Sequence, residues 1–241
     1  MDIIKLEKTD STNTWTAAHE KEIPSPALVW AWEQTAGRGQ RGNSWESEPG
    51  KNITASLVFH PENFPAIRQF EISETIALSI VDFLEKIGIH AKVKWPNDIY
   101  VGDRKICGIL VEHLVTGSHI SRTIAGFGIN INQTLFLSDA PNPVSAAMIT
   151  GKEYDLMSLV LALSECLESN LSTLNHEGKN HKKFLENLWR GDHEIYDFFD
   201  KRENCRISAR IEHIANNGIL VLRTIDGEKK EYAFKEVEFI L

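Results

Sequence analysis

The chain has 241 residues, 42% hydrophobic and 25% charged, with a formal net charge of −8 at pH 7. That composition suits a globular protein with a real core, and the length suits one large domain with at most a small appendage. The acidic balance argues against a general nucleic-acid binder, and three scattered cysteines (Cys107, Cys166 and Cys205) argue against a disulfide framework or a thiolate zinc site. The N-terminus lacks a signal-peptide core, and no apolar run approaches the ~20 residues that span a bilayer, so a cytoplasmic protein is expected, with neither membrane nor nucleic acid as partner.

In chain order, Asp10, Ser11, Thr12 and Asn13 offer N-caps for a short helix bounded by Pro24. Residues 27–32 read as a buried strand. Residues 33–50 form a long polar loop rich in Gly, Arg, Asn and Ser, a length usually kept for function or disorder. Residues 52–60 alternate as a strand, with Ile53, Ala55, Leu57 and Phe59 on one face. The spacing of Ile76, Ile80, Phe83, Leu84 and Ile87 predicts an amphipathic helix over 73–87, stopped by Gly88. Residues 91–95, 106–115 and 119–132 read as strands, with a tight turn at Gly102-Asp103-Arg104. Residues 156–174 and 182–190 are helical by pattern. After Asp192 the texture changes to short strands at 205–214, 218–224 and within 231–240. The expected fold is α+β: a mixed or antiparallel sheet with flanking helices over 1–192, and a small β module over 193–241 docked on it.

Three segments carry chemistry. Residues 33–45 contain Gly37, Arg38, Gly39, Gln40, Arg41 and Gly42, and end on Trp45. Glycines let backbone N–H groups approach a ligand, and arginines hold phosphate or carboxylate oxygens bidentately. The GK[ST] ending of a Walker loop is missing. Next come Lys94-Trp95-Pro96-Asn97-Asp98 and then Arg104-Lys105-Ile106-Cys107-Gly108. Here Asp98 could accept a ribose hydroxyl or bind Mg²⁺, and Lys105 could face a buried anion. The third is Gly126-Phe127-Gly128-Ile129-Asn130-Ile131-Asn132, a strand whose glycines mark close approach and whose amides need partners. Taken singly, each segment also reads as a solvated loop, a turn or a satisfied bend. No nucleophile elbow or catalytic histidine constellation is present, so the chemistry is anion handling.

Together, in this order, the segments resemble the biotin–protein ligases (biotin–[acetyl-CoA-carboxylase] ligases). Asp10-Ser11-Thr12-Asn13 fits as well, so the resemblance covers residues 8 to 132. It implies a class II synthetase-like α+β fold with a small SH3-like C-terminal β domain. It also implies an ATP-dependent reaction: biotin is activated as biotinyl-5′-AMP and passed to a lysine of a biotin carboxyl carrier domain, of acetyl-CoA carboxylase or a related carboxylase. By the same resemblance Lys105, Arg38 and Asp98 would be catalytic, with Lys105 offsetting the charge of the biotin carboxylate and the α-phosphate. Ser11, Thr12, Asn13 and Gln34 would pair the ureido ring. Gly37, Arg38, Gly39 and Gln40 would close over the ligand, while Gly108 and Gly126 leave it room. Arg41, Trp45, Lys94, Asn97 and Asn130 would serve ATP, and Asp98 is the candidate Mg²⁺ ligand. A homodimer through an exposed sheet edge is a further expectation. A lipoate ligase or octanoyltransferase and a biotin-binding protein without turnover are the rival readings, and the Lys-Trp-Pro-Asn-Asp motif favours the biotin ligase.

Two departures from the family pattern carry expectations. The Ser11 motif follows only ten residues, too few for the winged helix of the repressor members, so a ligase without operator binding is expected. Gln40 stands where many relatives carry another arginine, removing one positive charge from the loop. Biotinyl-AMP should therefore escape faster from the native chain than from Gln40→Arg; equal off-rates in a rapid-filtration measurement would refute this.

Overall fold

Two covered faces set the architecture: successive strand residues face opposite sides of a sheet, and β-strand residues 53–59 are buried throughout. The computed structural model describes residues 1–138, 142–174 and 178–241, and of Arg41 the backbone alone. The elements run β1 (Asp2–Thr9), α1 (Thr12–Ala18), β2 (Ala27–Gln34), β3 (Ile53–Phe59), β4 (Phe64–Pro65), α2 (Gln69–Lys86), β5 (Lys92–Lys94), β6 (Asp98–Val101), β7 (Arg104–Thr116) and β8 (His119–Ile129). They continue with α3 (Ala146–Thr150), α4 (Leu156–Leu171), α5 (Lys179–Glu186), β9 (Tyr196–Asp200), β10 (Cys205–Ile214), β11 (Leu220–Thr224), β12 (Lys229–Tyr232) and β13 (Val237–Phe239).

The main sheet has the order β1-β2-β3-β8-β7-β6-β5, with β4 paired to β8. Among the named strands only β1 and β2 pair in parallel, so the sheet is mixed, as expected. One face carries Leu28, Trp30, Ala55, Leu57, Ile109, Phe127 and Ile129 into a core shared with α2 and α4. The other face carries Ser56 opposite Gly126, Leu110 opposite Gly126, and Gly108 opposite Gly128. This second face is covered by α1 and bears the site. No helix among the described residues is long and apolar enough to cross a membrane.

The C-terminal sheet is antiparallel, in the order β12-β11-β10-β9-β13, and its buried residues join the same contiguous core. Three aromatic contacts dock it. Trp95 Nε1 donates to the Gly218 carbonyl at 2.9 Å. Its ring meets Phe234 edge-on at 6.3 Å. Phe239 lies between Trp189 at 5.5 Å and Phe198 at 5.0 Å.

Some elements differ from the sequence reading. β1 and β9 were not anticipated. The first is a half-exposed edge strand without a clean apolar face, and the second is only five residues long around Phe198. The helix expected at 182–190 instead spans Lys179–Glu186. Residues beyond it lend their backbone to β5, with Val93 N donating to Asn187 O and Trp189 N to Val93 O, both at 2.8 Å. The strand expected to reach 132 stops at Ile129. Asn132 instead closes a turn, exchanging side-chain bonds of 2.8 and 3.0 Å with the backbone of Tyr154.

Glu74, fully buried on α2, sits 2.6 Å from His181 Nδ1. Burial pushes its carboxyl up to about 7 from the ordinary 4.5, although the His181 hydrogen bond opposes the shift. The unfolded chain ionises at the ordinary value, so the stabilisation present at low pH is lost as pH rises from about 4.5 to about 7. The loss is at most about 3 kcal/mol. Relative to Glu74→Gln, the native chain should lose several degrees of thermal midpoint across that window; parallel midpoint curves for the two would contradict this.

Candidate active site

A cavity of about 1100 Å³ lies between the glycine-bearing face of the main sheet, the Gly-Arg loop and β13. Its polar end is built where α1 begins. Ser11 occupies the N-cap position but makes no capping bond, so its buried hydroxyl is left to the cavity. Thr12 donates to Gln34 Oε1 from its backbone N at 3.0 Å and its Oγ1 at 3.3 Å. Ser56 Oγ lies 2.7 Å from Thr12 Oγ1 and 2.6 Å from Asn13 Oδ1. Asn13 Nδ2 donates to Leu110 O at 3.3 Å and to Glu112 Oε2 at 2.7 Å.

The Gly-Arg loop folds as a tight hairpin. Trp45 N donates to Gly37 O at 2.9 Å and Gly39 N to Asn43 O at 2.7 Å, while Arg38 bridges Ser44. A Cβ on Gly37 would stand 2.4 Å from the Trp45 carbonyl oxygen, which accounts for that glycine. Gln40 begins a 3-10 turn that ends at Gly42. The side chain of Arg41, expected to serve the nucleotide, lies outside what is described. Arg38 pairs with Glu112 and donates from Nη1 to Thr14 Oγ1 at 3.3 Å.

Trp45 lies flat on the bare backbone of β7 and β8. A Cβ on Gly108 would come within 2.9 Å of its ring, and one on Gly128 within 2.1 Å of Nε1. A Cβ on Gly126 would fall 2.2 Å from Asn13 Oδ1. The sequence reading had Gly108 and Gly126 clearing space for ligand; the clearance they give is filled by Trp45 and Asn13, so they act through those side chains. The Trp45 Nε1 donor is buried without a partner among the described residues.

Lys105 stands beside this indole, its Nζ 5.5 Å from the ring centroid and 2.7 Å from Asp98 Oδ1. Its main chain is held by the returning segment, with Lys105 N donating to Asn142 O at 2.8 Å and Val144 N to Lys105 O at 2.9 Å. Asn97 Nδ2 donates to Ile109 O at 2.5 Å. Asn130 Nδ2 donates to Val144 O at 3.1 Å, and its buried Oδ1 has no partner among the described residues. Asn130 belongs to the cavity lining, and a buried amide oxygen left without a partner is unusual. Lys94 lines the cavity, yet its ammonium is already committed. It donates to Tyr100 OH at 3.0 Å and sits 4.6, 5.7 and 5.4 Å from the ring centroids of Tyr100, Trp189 and Phe239. Burial pushes its pKa below the usual lysine value. Lys94 thus lies at the junction with the C-terminal sheet while still lining the cavity where a nucleotide role is expected of it.

The cavity does not fit a resident magnesium. Among the described residues no three His, Cys, Asp or Glu converge on a point, and an ammonium already holds Asp98. Magnesium would enter with a nucleotide's phosphates, an arrangement that needs only one or two carboxylates, and Asp98 on the cavity wall is the candidate expected from sequence.

The site residues expected from sequence line this one cavity, except Gly37, which is not in its lining, and Arg41, whose side chain is outside what is described. Not anticipated are Ser56 and Glu112, which hold Thr12, Asn13 and Arg38 without lining the cavity themselves, and the rings around Lys94. Ser56 and Glu112 were findable by period-two counting, since Ser56 pairs Gly126 and Glu112 is four residues beyond Gly108 on the same face of β7.

A mixed sheet with a glycine-floored cavity and a lysine on its wall is the scaffold on which the site is built, and the chain belongs to the biotin/lipoate A/B protein ligase family, whose profile matches residues 5–130, just over half its length. Among relatives, it is similar to the bifunctional ligase/repressor BirA of Bacillus spizizenii, 29% identical over 237 residues that cover 92% of this chain and 70% of that one. It is also similar to the biotin–[acetyl-CoA-carboxylase] ligase of Paracoccus denitrificans, 35% identical over 52% of this chain and 53% of that one. In fold it matches a biotin protein ligase from Aquifex aeolicus solved with biotin and ATP. The TM-score is 0.80 and the identity 24%, over 98% of this chain and 97% of that one.

Gly128→Ala should expel the Trp45 indole from its seat and red-shift tryptophan emission. The same substitution in a Trp45→Phe background should leave the spectrum unchanged; a shift of equal size there would show that the indole does not sit on Gly128.

Proposed function

We propose that this protein is a biotin–protein ligase that activates biotin with MgATP and transfers it to a lysine of a biotin carboxyl carrier domain. The observation that carries this reading is that Lys105 lines one cavity together with a polar group of Ser11, Thr12, Asn13 and Gln34 and with the amides of Asn97 and Asn130. The polar group offers donors and acceptors for a ureido ring, and rejects analogues that leave those groups unpaired. The dithiolane of lipoate has no polar edge to meet them, which favours biotin over the lipoate reading.

In the first half-reaction an oxygen of the biotin carboxylate attacks the α-phosphorus of MgATP. The bond from that phosphorus to the bridging oxygen breaks and pyrophosphate leaves. Two anions must approach, so the fixed ammonium of Lys105 offsets their repulsion and the charge that develops at phosphorus. Asp98, 2.7 Å from Lys105, keeps that ammonium aimed. Arg38 and the hairpin from Gly37 to Trp45 cover the mixed anhydride and exclude water. In the second half-reaction the acceptor lysine amine attacks the acyl carbon, AMP leaves, and the amine gives up its proton. The acceptor is assigned to a carboxylase of the acetyl-CoA type, and the reaction to the cytoplasm.

Incubation with biotin, MgATP and an apo biotin carrier domain should add one biotin to the acceptor mass. Lys105→Ala should cut the rate at least about 100-fold, the cost of removing a preorganised charge from the transition state. Product with lipoate but not biotin would replace this reading with its relative, and biotin binding without turnover would leave a binding protein.

A further inference from the structure

Glu112 belongs to none of the sequence motifs, yet each of its carboxylate oxygens serves a different part of the site. It follows Gly108 and Leu110 along the cavity face of β7. Oε2 accepts from Asn13 Nδ2 at 2.7 Å. Oε1 pairs with the Arg38 guanidinium, which also donates to Thr14 Oγ1 at 3.3 Å. Among the described residues no other side chain touches both Asn13 and Arg38.

We infer that Glu112 is a positioning residue that couples the ring pocket to the Gly-Arg loop: it fixes the orientation of the Asn13 amide and tethers Arg38 to the sheet until an anionic ligand takes the guanidinium over. The inference rests on the biotin-ligase reading for its ligand, but the tether itself is a property of the chain alone.

The chemistry of the two contacts differs. An amide can present either end, and a carboxylate can only accept, so Glu112 forces the N–H end of Asn13 toward itself. The oxygen end then faces Ser56 Oγ, 2.6 Å away, and the polar chamber. The contact to Arg38 is of another kind. Both partners are more than a third exposed, with side chains 44% and 40% accessible, so solvent screens the pair and it is weak. Weakness suits a tether that must release, because a phosphate or carboxylate oxygen inside the cavity outcompetes a solvated carboxylate.

Three single variants of the full chain separate the contacts. Glu112→Gln keeps an acceptor for Asn13 and removes the charge facing Arg38. Glu112→Ala removes both, and Glu112→Asp restores the charge on a shorter arm. Without ligand, trypsin cleavage after Arg38 should accelerate about threefold to fivefold in Glu112→Gln, the scale of an exposed ion pair, and return toward the native rate in Glu112→Asp. Biotin affinity should stay within about twofold in Glu112→Gln and fall about tenfold or more in Glu112→Ala, as expected when a buried amide loses its partner. Pyrophosphate formation should slow in Glu112→Gln but not further in an Arg38→Ala background, since Glu112 acts through Arg38. Native cleavage rates in both Glu112→Gln and Glu112→Ala, or an additive effect with Arg38→Ala, would overturn the proposal. A native chain that binds no biotin would instead overturn the ligase reading, with the ligand-free cleavage rates still deciding the tether.

Discussion

The site depends on bare backbone in the middle of a sheet. At Gly108, Gly126 and Gly128 two adjacent strands carry no side chain, and the space is taken by the Trp45 indole and the Asn13 amide at distances no Cβ would allow. Glycine in a strand interior is unfavourable by itself, through lost packing and a larger entropy cost of ordering. Here two side chains from elsewhere recover that packing: one anchors the Gly-Arg loop and the other the start of α1. The same strip therefore positions the cover of the cavity and its polar end. Neither could lie so close to the sheet if the strands were built of ordinary alternating residues, and the ammonium of Lys105 would lose its neighbouring ring face.

The fold was legible in the sequence wherever a period was clean. The alternation of Ile53, Ala55, Leu57 and Phe59 marks β3, and the helical spacing from Ile76 to Ile87 marks most of α2. The edges were harder. β1 is half-exposed, and its Lys5, Glu7 and Lys8 hide the pattern that pairing with β2 imposes. The end of α5 was misjudged because Leu188 and Trp189 look like helix residues but are buried by pairing with β5. At the site, motif residues converged as expected, since glycine, arginine and lysine announce themselves by type. Glu112 did not, because a glutamate on a strand looks like any solvated charge until the loop folds back over it. The surroundings of Lys94 were hidden for the opposite reason. Its neighbours in sequence suggest phosphate, while the rings that enclose it come from the far end of the chain, in Trp189 and Phe239.

How the positive charges are held distinguishes their uses. The chain is acidic by eight charges, so an anion cavity must be built from a few well-placed cations, and each has a different counterweight. Lys94 is surrounded by aromatic faces and a phenol, a setting that holds an ammonium but lowers its affinity for a proton. The residue joins the two sheets, since one of those rings, Phe239, belongs to β13. Lys105 has a single carboxylate at 2.7 Å and a ring at 5.5 Å, which fixes its direction while leaving donors for a ligand, since an ammonium carries three. Arg38 is held by a solvated carboxylate and a hydroxyl, the weakest of the three arrangements and the only one on a loop. The three cations thus run from caged, through aimed, to tethered, in the order of how firmly their contacts hold them.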